Sequence, residues 1–500
     1  MTRPATHSVV APLTFALVMA GCAAPADTTE DGESVSSTDE GLTLGPPRVT
    51  SLDSSGLVVG FPGTVRAVGE NLATVSWDFG DAAFPRTATG GAPRVVFRRD
   101  GIVPVRVTGK NGTGLSTTVT LDVKVANVVT SLAAPTASFP ATNGSQPRIA
   151  ARTDGRRVFA HVPRRLPDGT MPVELGVERA DGTFAVTTVR PAGIDEVVDL
   201  RVAVGADNVP QLLVASATRL AYCRVQVSSP SCVDLGAWSG SFDLALRRDG
   251  RPVVSLCRGR WLAPDIGGLR VMVASTSAPS TAADFGREVI VDTRSYHLPV
   301  DLGTHHALAL VEDRPVIIAN NGLAPGRYPD GRWIVPVQAY EAVRDVPTGA
   351  GDFSVRDVDG AHTALTGSSA RVVGDRLVVA GNAGGSLAVY SAPTSALGIG
   401  FRKVVVDDLA PSDAVASPYR VSLSAVGARP LLSYVDSRGT AHVAVALDNQ
   451  PSDPTHLIRL GAFDATARYY TAVLGRGAGP AGLSLLVHRA SGTLELVTAR

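Results

Sequence analysis

The feature that most constrains the fold is a strand–turn–strand unit that recurs throughout residues 127–500. In each unit, a strand of alternating apolar and polar residues leads through a polar or glycyl turn into a more apolar strand. A repeat of about 50 residues behaves as one supersecondary element that must bury its apolar face against its neighbours. The units begin at Pro147, Asp199, Phe242, His306, Ser369, Tyr419 and Tyr470.

Most units continue into a third strand and several into a fourth, such as residues 232–236. Four antiparallel strands at this period are typical of a β-propeller blade. The sequence therefore predicts an all-β chain in which residues 127–500 form a propeller. Seven blades fit the segment, and six are the alternative because the spacing is irregular over residues 163–196 and 325–360.

The last unit predicts how the ring closes. Its third strand, residues 493–500, has no fourth strand after it, so the unit needs an outer strand from elsewhere. Residues 126–139 precede the first full unit and can supply that strand. Closure of this kind removes the exposed strand edges that an open array would present.

A shorter pattern precedes the repeat. Val75, Trp77 and Phe79 alternate along a strand that runs into a turn at Gly80-Asp81. The letters D-F-G at 78–80 do not indicate a kinase, because only about seventy residues precede them and a kinase needs three further motifs upstream. Two more alternating runs follow, and Asn111-Gly112 between them is a strong hairpin pattern.

This ordering resembles the PKD domain, an immunoglobulin-like β-sandwich. The resemblance implies such a sandwich over residues 48–126, with Trp77 and Phe79 in its core and Asp81 capping a turn. It also implies a spacer or adhesive role and no catalytic residue. The matching residues are Trp77, Phe79, Gly80, Asp81, Phe97, Asn111 and Gly114, and the departures are Ala82 and Val103-Pro104.

The first residues predict export. A basic start at Arg3 and an apolar run over residues 9–19, too short to span a bilayer, are typical of a signal peptide. Ala20-Gly21-Cys22 resembles the lipobox of bacterial lipoproteins, which implies a signal peptide over 1–22 and an acylated Cys22. The alternative is an ordinary signal peptide cut after an A-x-A-like site, for which residues Ala20 to Ala24 offer candidates. Residues 23–47 are acidic and poor in apolar side chains, so we expect a disordered tether.

The charge balance and the discarded motifs limit the function classes. Equal numbers of basic and acidic residues, 46 of each, give no field that would attract nucleic acid. The GxGxxG letters at 477–482 open a strand, and His305 and His306 point to opposite faces of one, so we expect no cofactor and no metal. The predicted partners are the membrane, through the lipid, and a glycan or protein ligand. We expect the protein to be a monomer. The resemblance implies location in the cell envelope, at the outer membrane or cell surface.

The loops between second and third strands, and those between blades, gather on one face of a propeller. Three of the four Trp lie in these loops, beside Tyr and Arg residues that are suited to gripping sugars or a partner surface. The alternative is that these aromatic side chains pack their own loops or plug the channel. The predicted ligand-binding residues are Trp238, Trp261, Tyr296, Arg327, Tyr328 and Trp333.

Two functions fit this pattern. The first is a non-enzymatic, surface-anchored binding or adhesion lipoprotein, which we favour. The second is a secreted glycoside hydrolase or polysaccharide lyase, which needs two carboxylates about 5 to 10 Å apart. The strand pattern resembles extracellular sialidase-type propellers, but their S-x-D-x-G-x-T-W turns are missing. The carboxylate candidates are Asp265, Asp301, Asp330 and Asp464, and their spacing selects no pair.

The remaining cysteines predict one disulfide. Cys223 and Cys232 lie on successive strands, and a hairpin folded midway between them places the two residues opposite each other. A loop this short contributes about 2 to 3 kcal/mol at most. Cys257 ends an apolar strand, and we expect it to be a buried free thiol.

The lipobox generates a first testable prediction. The substitution Cys22→Ser removes the acylation site, so it should move the protein from the detergent-soluble membrane fraction to the soluble fraction. Immunoblots of the two fractions measure the shift. Equal membrane retention of the variant would contradict the lipoprotein interpretation.

Overall fold

A computed structural model gives an all-β fold, which confirms the predicted class. The helices among the described residues are single 3-10 turns at Gly80–Ala82, Ala282–Phe285, Ala350–Asp352, Leu397–Ile399, Pro454–His456 and Pro480–Gly482. None of the helices in that part of the chain is long and apolar enough to cross a membrane. The structure describes residues 45–128, 135–140, 147–163, 165–226, 229–238, 241–258, 268–292, 306–320, 326–327, 333–334, 336–359, 365–383, 385–408, 421–436, 440–463, 471–475, 480–488 and 493–498.

The first nine strands form a sandwich of small sheets. The sheet orders are β1-β3, β2-β7-β5 and β6-β4-β8-β9. The long hairpin of β8 and β9 pairs in unbroken register, and it provides one wall of the sandwich. The strands are β1 (Arg48–Asp53), β2 (Pro62–Thr64), β3 (Arg66–Glu70), β4 (Thr74–Asp78), β5 (Ala83–Phe84), β6 (Thr87–Thr89), β7 (Arg94–Phe97), β8 (Gly101–Lys110) and β9 (Ser116–Val125).

Trp77 and Phe79 lie in the core of this sandwich, where the sequence placed them. Their rings stack at a centroid distance of 5.7 Å, and Phe79 meets Phe97 edge-on at 6.1 Å. The indole N–H of Trp77 donates to the Gly90 carbonyl at 2.7 Å, so its burial leaves no unsatisfied donor.

The turn after β4 differs in detail from the prediction. The Gly80 amide donates to the Asp78 carboxylate at 3.0 Å, so Asp78 caps the turn. Asp81 instead forms an exposed ion pair with Arg86 at 2.8 Å. An aspartate two residues before a turn amide has the shorter reach to it, which explains the exchange of roles.

Residues from 135 onward contain seven four-stranded antiparallel sheets among the described strands. We number these sheets 1 to 7 in chain order. Two short strands, β25 (Gly326–Arg327) and β26 (Trp333–Ile334), pair as a separate ribbon between the second and third strands of sheet 4. Sheets 1 to 3 comprise β11 (Arg148–Ala151), β12 (Arg157–His161), β13 (Val173–Glu178) and β14 (Phe184–Val189); β15 (Asp199–Val204), β16 (Pro210–Ala215), β17 (Arg219–Val225) and β18 (Pro230–Ala237); and β19 (Phe242–Leu246), β20 (Pro252–Arg258), β21 (Gly268–Val273) and β22 (Val289–Asp292). Sheets 4 to 6 comprise β23 (His306–Val311), β24 (Arg314–Asn320), β27 (Val337–Ala342) and β28 (Phe353–Asp359); β29 (Leu365–Val373), β30 (Arg376–Ala383), β31 (Ser386–Pro393) and β32 (Arg402–Asp408); and β33 (Ser422–Val426), β34 (Arg429–Val435), β35 (Ala441–Ala446) and β36 (Leu457–Phe463).

Sheet 7 joins the two ends of the ring. It contains β37 (Thr471–Leu474), β38 (Ser484–His488) and β39 (Thr493–Thr498), and its fourth strand is β10 (Pro135–Pro140) from the start of the repeat region. The first strands of consecutive sheets contact one another in a closed cycle from β11 through β37 and back to β11. The fold is therefore a β-propeller closed by a strand from the predicted segment.

Buried tyrosines on third strands bond one sheet to the sheet before it. The Tyr340 hydroxyl donates to Asp292 at 2.6 Å, and the Tyr390 hydroxyl donates to Asp359 at 2.7 Å. Each acceptor lies at the end of the preceding sheet's fourth strand. Lys403 also donates to Asp359 at 2.7 Å, which balances that buried charge.

The sandwich packs against sheet 6. Arg429 on β34 donates to the Gly60 carbonyl at 2.7 Å, and its guanidinium lies 5.7 Å from the centre of the Phe61 ring. Gly60 has a φ of +76°, and a Cβ there would lie 2.9 Å from Val445. The close approach therefore requires glycine at this position.

The cysteines occupy the predicted register. Cys223 and Cys232 are opposed on β17 and β18 and form a disulfide, whereas Cys257 is a buried free thiol. The bond joins the two outer strands of sheet 2, so it pins a blade edge without closing the ring.

The closing strand generates a stability prediction. Phe139 on β10 packs on Phe159 at a ring-centroid distance of 4.6 Å, so Phe139→Ala should lower the free energy of unfolding by about 2 to 4 kcal/mol. Ile102→Ala, at a position 72% exposed in the sandwich, is the control and should change it by less than about 0.5 kcal/mol. Urea denaturation followed by circular dichroism measures both. Equal midpoints for the two variants would contradict a ring that depends on β10.

Candidate functional site

The two ends of the ring differ in what they carry. Every first strand begins where the preceding fourth strand ends, and every second strand ends on that same side. We call this side the loop end, because the long connections after β20 and β24 leave from it. The opposite side, which carries the short turns between first and second strands, is the hairpin end.

Trp238 is the predicted ligand-binding residue whose side chain the structure describes. Its indole N–H donates to the Ser216 carbonyl at 2.8 Å, and its ring meets Phe242 edge-on at 5.0 Å. The side chain is half-buried against the core between sheets 2 and 3. It therefore packs its own sheet junction, which was the alternative interpretation from the sequence.

Arg327 and Trp333 are described through their backbones. They lie opposite each other in the ribbon of β25 and β26, which is inserted at the loop end of sheet 4. The other predicted residues lie outside the described residues. These are Trp261, Tyr296 and Tyr328, the carboxylate candidates Asp265, Asp301, Asp330 and Asp464, and the lipidation site Cys22.

A chain of charged side chains crosses the first strands at the loop end. We call Arg148, Asp199, Arg201 and Asp243 the charged belt. Arg148 lies 3.8 Å from Asp199, Arg201 donates to Asp199 at 2.9 Å, and Arg201 lies 3.3 Å from Asp243. The belt thus joins sheets 1, 2 and 3 by alternating charges.

Both carboxylates of the belt are also held by backbone amides. Asp199 accepts from the Leu200 N–H at 2.8 Å. Asp243 accepts from the Leu244 N–H and, on its other oxygen, from the Leu308 N–H of sheet 4, each at 2.9 Å. These bonds hold each carboxylate in a fixed orientation between neighbouring strands.

His306 forms a buried polar cluster between sheets 3 and 4. Its Nδ1 lies 2.6 Å from the Ser241 hydroxyl and its Nε2 lies 2.8 Å from the Ser255 hydroxyl. Burial lowers the pKa of His306 to about 4, although the Asp243 charge opposes this shift. The imidazole is therefore neutral near pH 7, donating through one nitrogen and accepting through the other.

A histidine beside a serine hydroxyl can activate a nucleophile, but this cluster is closed off. His306 is 4% exposed and Ser255 is fully buried. Within the described part of the chain, no group of three or more His, Cys, Asp or Glu side chains could hold a metal ion. The cluster and the belt together tie the first strands of sheets 1 to 4 to one another at the loop end.

Neither the charged belt nor the His306 cluster was predicted from the sequence. The available signal is the position of a polar residue at or next to the start of successive units, Asp199, Asp243 and His306. Alternation alone assigns these residues to strand faces. The alternation does not predict that side chains from four neighbouring strands meet at one end of a ring.

Comparisons with known proteins identify no family. No protein-family model matches the sequence, and no curated protein matches it. The statements about fold above therefore rest on the sheet topology.

Solved structures give distant likenesses. A prolyl endopeptidase structure is 14% identical with a TM-score of 0.40, covering 74% of this chain and 51% of that one, so this chain spans about half its length. A Penicillium chrysogenum α-L-arabinanase complexed with arabinobiose is 10% identical over 65% of this chain and 96% of that one, with a TM-score of 0.38. An Aleuria aurantia lectin bound to a disaccharide is 11% identical over 59% and 90%, with a TM-score of 0.35. These likenesses assign no function.

The buried histidine generates a pH prediction. Because the folded pKa is about 4 and the unfolded value is 6.5, the unfolded chain gains a proton first as the pH falls. The contribution of His306 to the free energy of unfolding is fully present above pH 6.5. It decreases by about 3 kcal/mol as the pH falls to 4. The variant His306→Asn should lose this part of the pH dependence, measured by urea unfolding at pH 7.5 and 4.5.

The matched control is Gln211→Asn in sheet 2, a fully buried polar change that removes no titrating group. It should lower stability equally at both pH values. Parallel pH profiles for wild type and His306→Asn would show that the histidine does not titrate as described.

Proposed function

We propose that this protein is a lipid-anchored binding protein of the cell envelope that recognises a carbohydrate through the loop end of its propeller. The acylated Cys22 and the acidic tether present the folded part at the membrane surface. The PKD-like sandwich follows the tether, and the propeller carries the ligand site. A protein ligand is an outcome of the test below.

The observation that carries the proposal is the shared end of the long loops. The connection of residues 259–267, the ribbon of β25 and β26, and the junction at Trp238 all leave from the loop end of sheets 2 to 4. Trp261, Tyr328, Trp333 and neighbouring arginines belong to these connections. Aromatic rings and guanidinium groups are the side chains with which proteins stack on and hydrogen-bond sugars.

Two carboxylates at the loop end are engaged in contacts between strands, which fits the binding role we propose. Glycoside hydrolysis needs one carboxyl group that can donate a proton and a second that acts as base or nucleophile. Asp199 and Asp243, at the loop end, are both committed to arginine and backbone amides. The propeller therefore offers at this end a rigid frame for loops.

The test is a glycan and cell-wall binding screen of the full chain carrying Cys22→Ser. The double variant with Trp261→Ala and Trp333→Ala should bind the selected glycan at least tenfold more weakly, since aromatic anchors dominate such interfaces. Ile102→Ala in the sandwich is the control and should bind as wild type.

The same glycan, incubated with the protein and analysed by mass spectrometry, tests the competing function. Shortened products would replace binding by hydrolysis or lyase chemistry. Undiminished binding by the double tryptophan variant would remove the loop end as the site, and selective capture of an envelope protein would replace the carbohydrate by a protein ligand.

A further inference from the structure

The hairpin end of the ring contains a cavity that the function above does not use. Its volume is about 420 Å³, and it lies on the ring axis between the first strands of sheets 1 to 5 and sheet 7. Of the lining residues within the described part of the chain, all are small or aliphatic except one. Among them are Ala151, Val204, Leu246, Leu310 and Gly475, and the exception is Arg371 on β29.

The wall of this cavity offers hydrogen bonds despite its apolar side chains. Each first strand is the end strand of its sheet, so one edge of its backbone pairs with no other strand. In a closed ring these edges face the axis. The N–H groups of Leu308 and Gly475 donate to Asp243 and Ser424 of neighbouring sheets, so a ligand would use the edge groups that carry no such bond. Such a surface suits hydroxyl groups, which both donate and accept.

Arg371 gives the cavity a positive charge. Its side chain is exposed within the cavity and makes no ion pair or hydrogen bond with any residue that the structure describes. The lining residues that the structure describes include no acidic side chain. An arginine keeps its proton at neutral pH, so the side chain brings a full positive charge to the cavity.

Two other arginines of the ring are paired with carboxylates. Arg201 pairs with Asp199 and Asp243 in the charged belt, and Arg247 pairs with Asp345 at 2.6 Å.

We propose that this cavity binds a small hydroxylated carboxylate of the sugar-acid class. The carboxylate pairs with the Arg371 guanidinium, whose two N–H groups match its two oxygens, and the hydroxyls bond to the backbone edges. The cavity volume is in the range of small-molecule sites. This site lies at the opposite end of the ring from the proposed loop-end site and does not depend on it.

The probe is sodium D-galacturonate, and D-galactose is its neutral counterpart. Isothermal titration calorimetry with the full chain should give saturable binding of one galacturonate per chain, and at least tenfold weaker binding of galactose. The variant Arg371→Met, which keeps the length of the side chain without its charge, should bind galacturonate at least tenfold more weakly, and Arg371→Lys should lie between the two.

The control separates this site from an unspecific effect of removing a surface charge. Arg66→Met, on exposed β3 of the sandwich, should bind galacturonate as wild type. Without ligand, Arg371→Met should have a Tm no lower than wild type, because it removes an unpaired charge. Absence of saturable galacturonate binding by wild type, equal affinity for galactose, or wild-type affinity in a folded Arg371→Met protein would each overturn the proposal.

Discussion

The pairing of β10 with β39 is the constraint on which the propeller depends. Each sheet buries its faces against two neighbours, so a ring with one unclosed sheet exposes two apolar faces at once. The strand that completes sheet 7 comes from the start of the repeat region, and its Phe139 packs on Phe159 of sheet 1. The β10 segment therefore has two roles in closure. It pairs with sheet 7 through its backbone and contacts sheet 1 through Phe139, and it follows the sandwich in the chain.

Once the ring is closed, its two ends acquire different chemistry from the same strands. At the loop end, the charged belt and the His306 cluster tie neighbouring first strands together by hydrogen bonds and ion pairs. At the hairpin end, the first strands line a cavity that contains an arginine without a described partner. The loop end is therefore a fixed frame, whereas the hairpin end surrounds the cavity for which we propose a ligand.

Much of the architecture could be predicted from the sequence, because it follows from local patterns that repeat. Alternation and period gave the strands and the propeller, the three-stranded last unit gave the closing segment, and the short link between Cys223 and Cys232 gave their opposition. The functional features depend on contacts between distant segments. Arg371 occupies an ordinary alternating position of its strand, and Arg429 meets Gly60 across a separation of 369 residues, so no local pattern marks either one. Trp238 shows the opposite case. Its residue type and its position in a loop suggested a ligand contact, whereas its surroundings give it a packing contact.

The contact between the sandwich and sheet 6 has a mechanical consequence. In an anchored protein, tension enters the folded part from the N-terminal side and would run through the sandwich to β10, peeling the closing strand from β39. The Arg429 bond to Gly60 and the packing around Phe61 connect the sandwich directly to β34. Load can therefore pass from the sandwich into sheet 6 and bypass the closing strand. Gly60, which permits this close approach, thus provides a second route by which force can enter the ring.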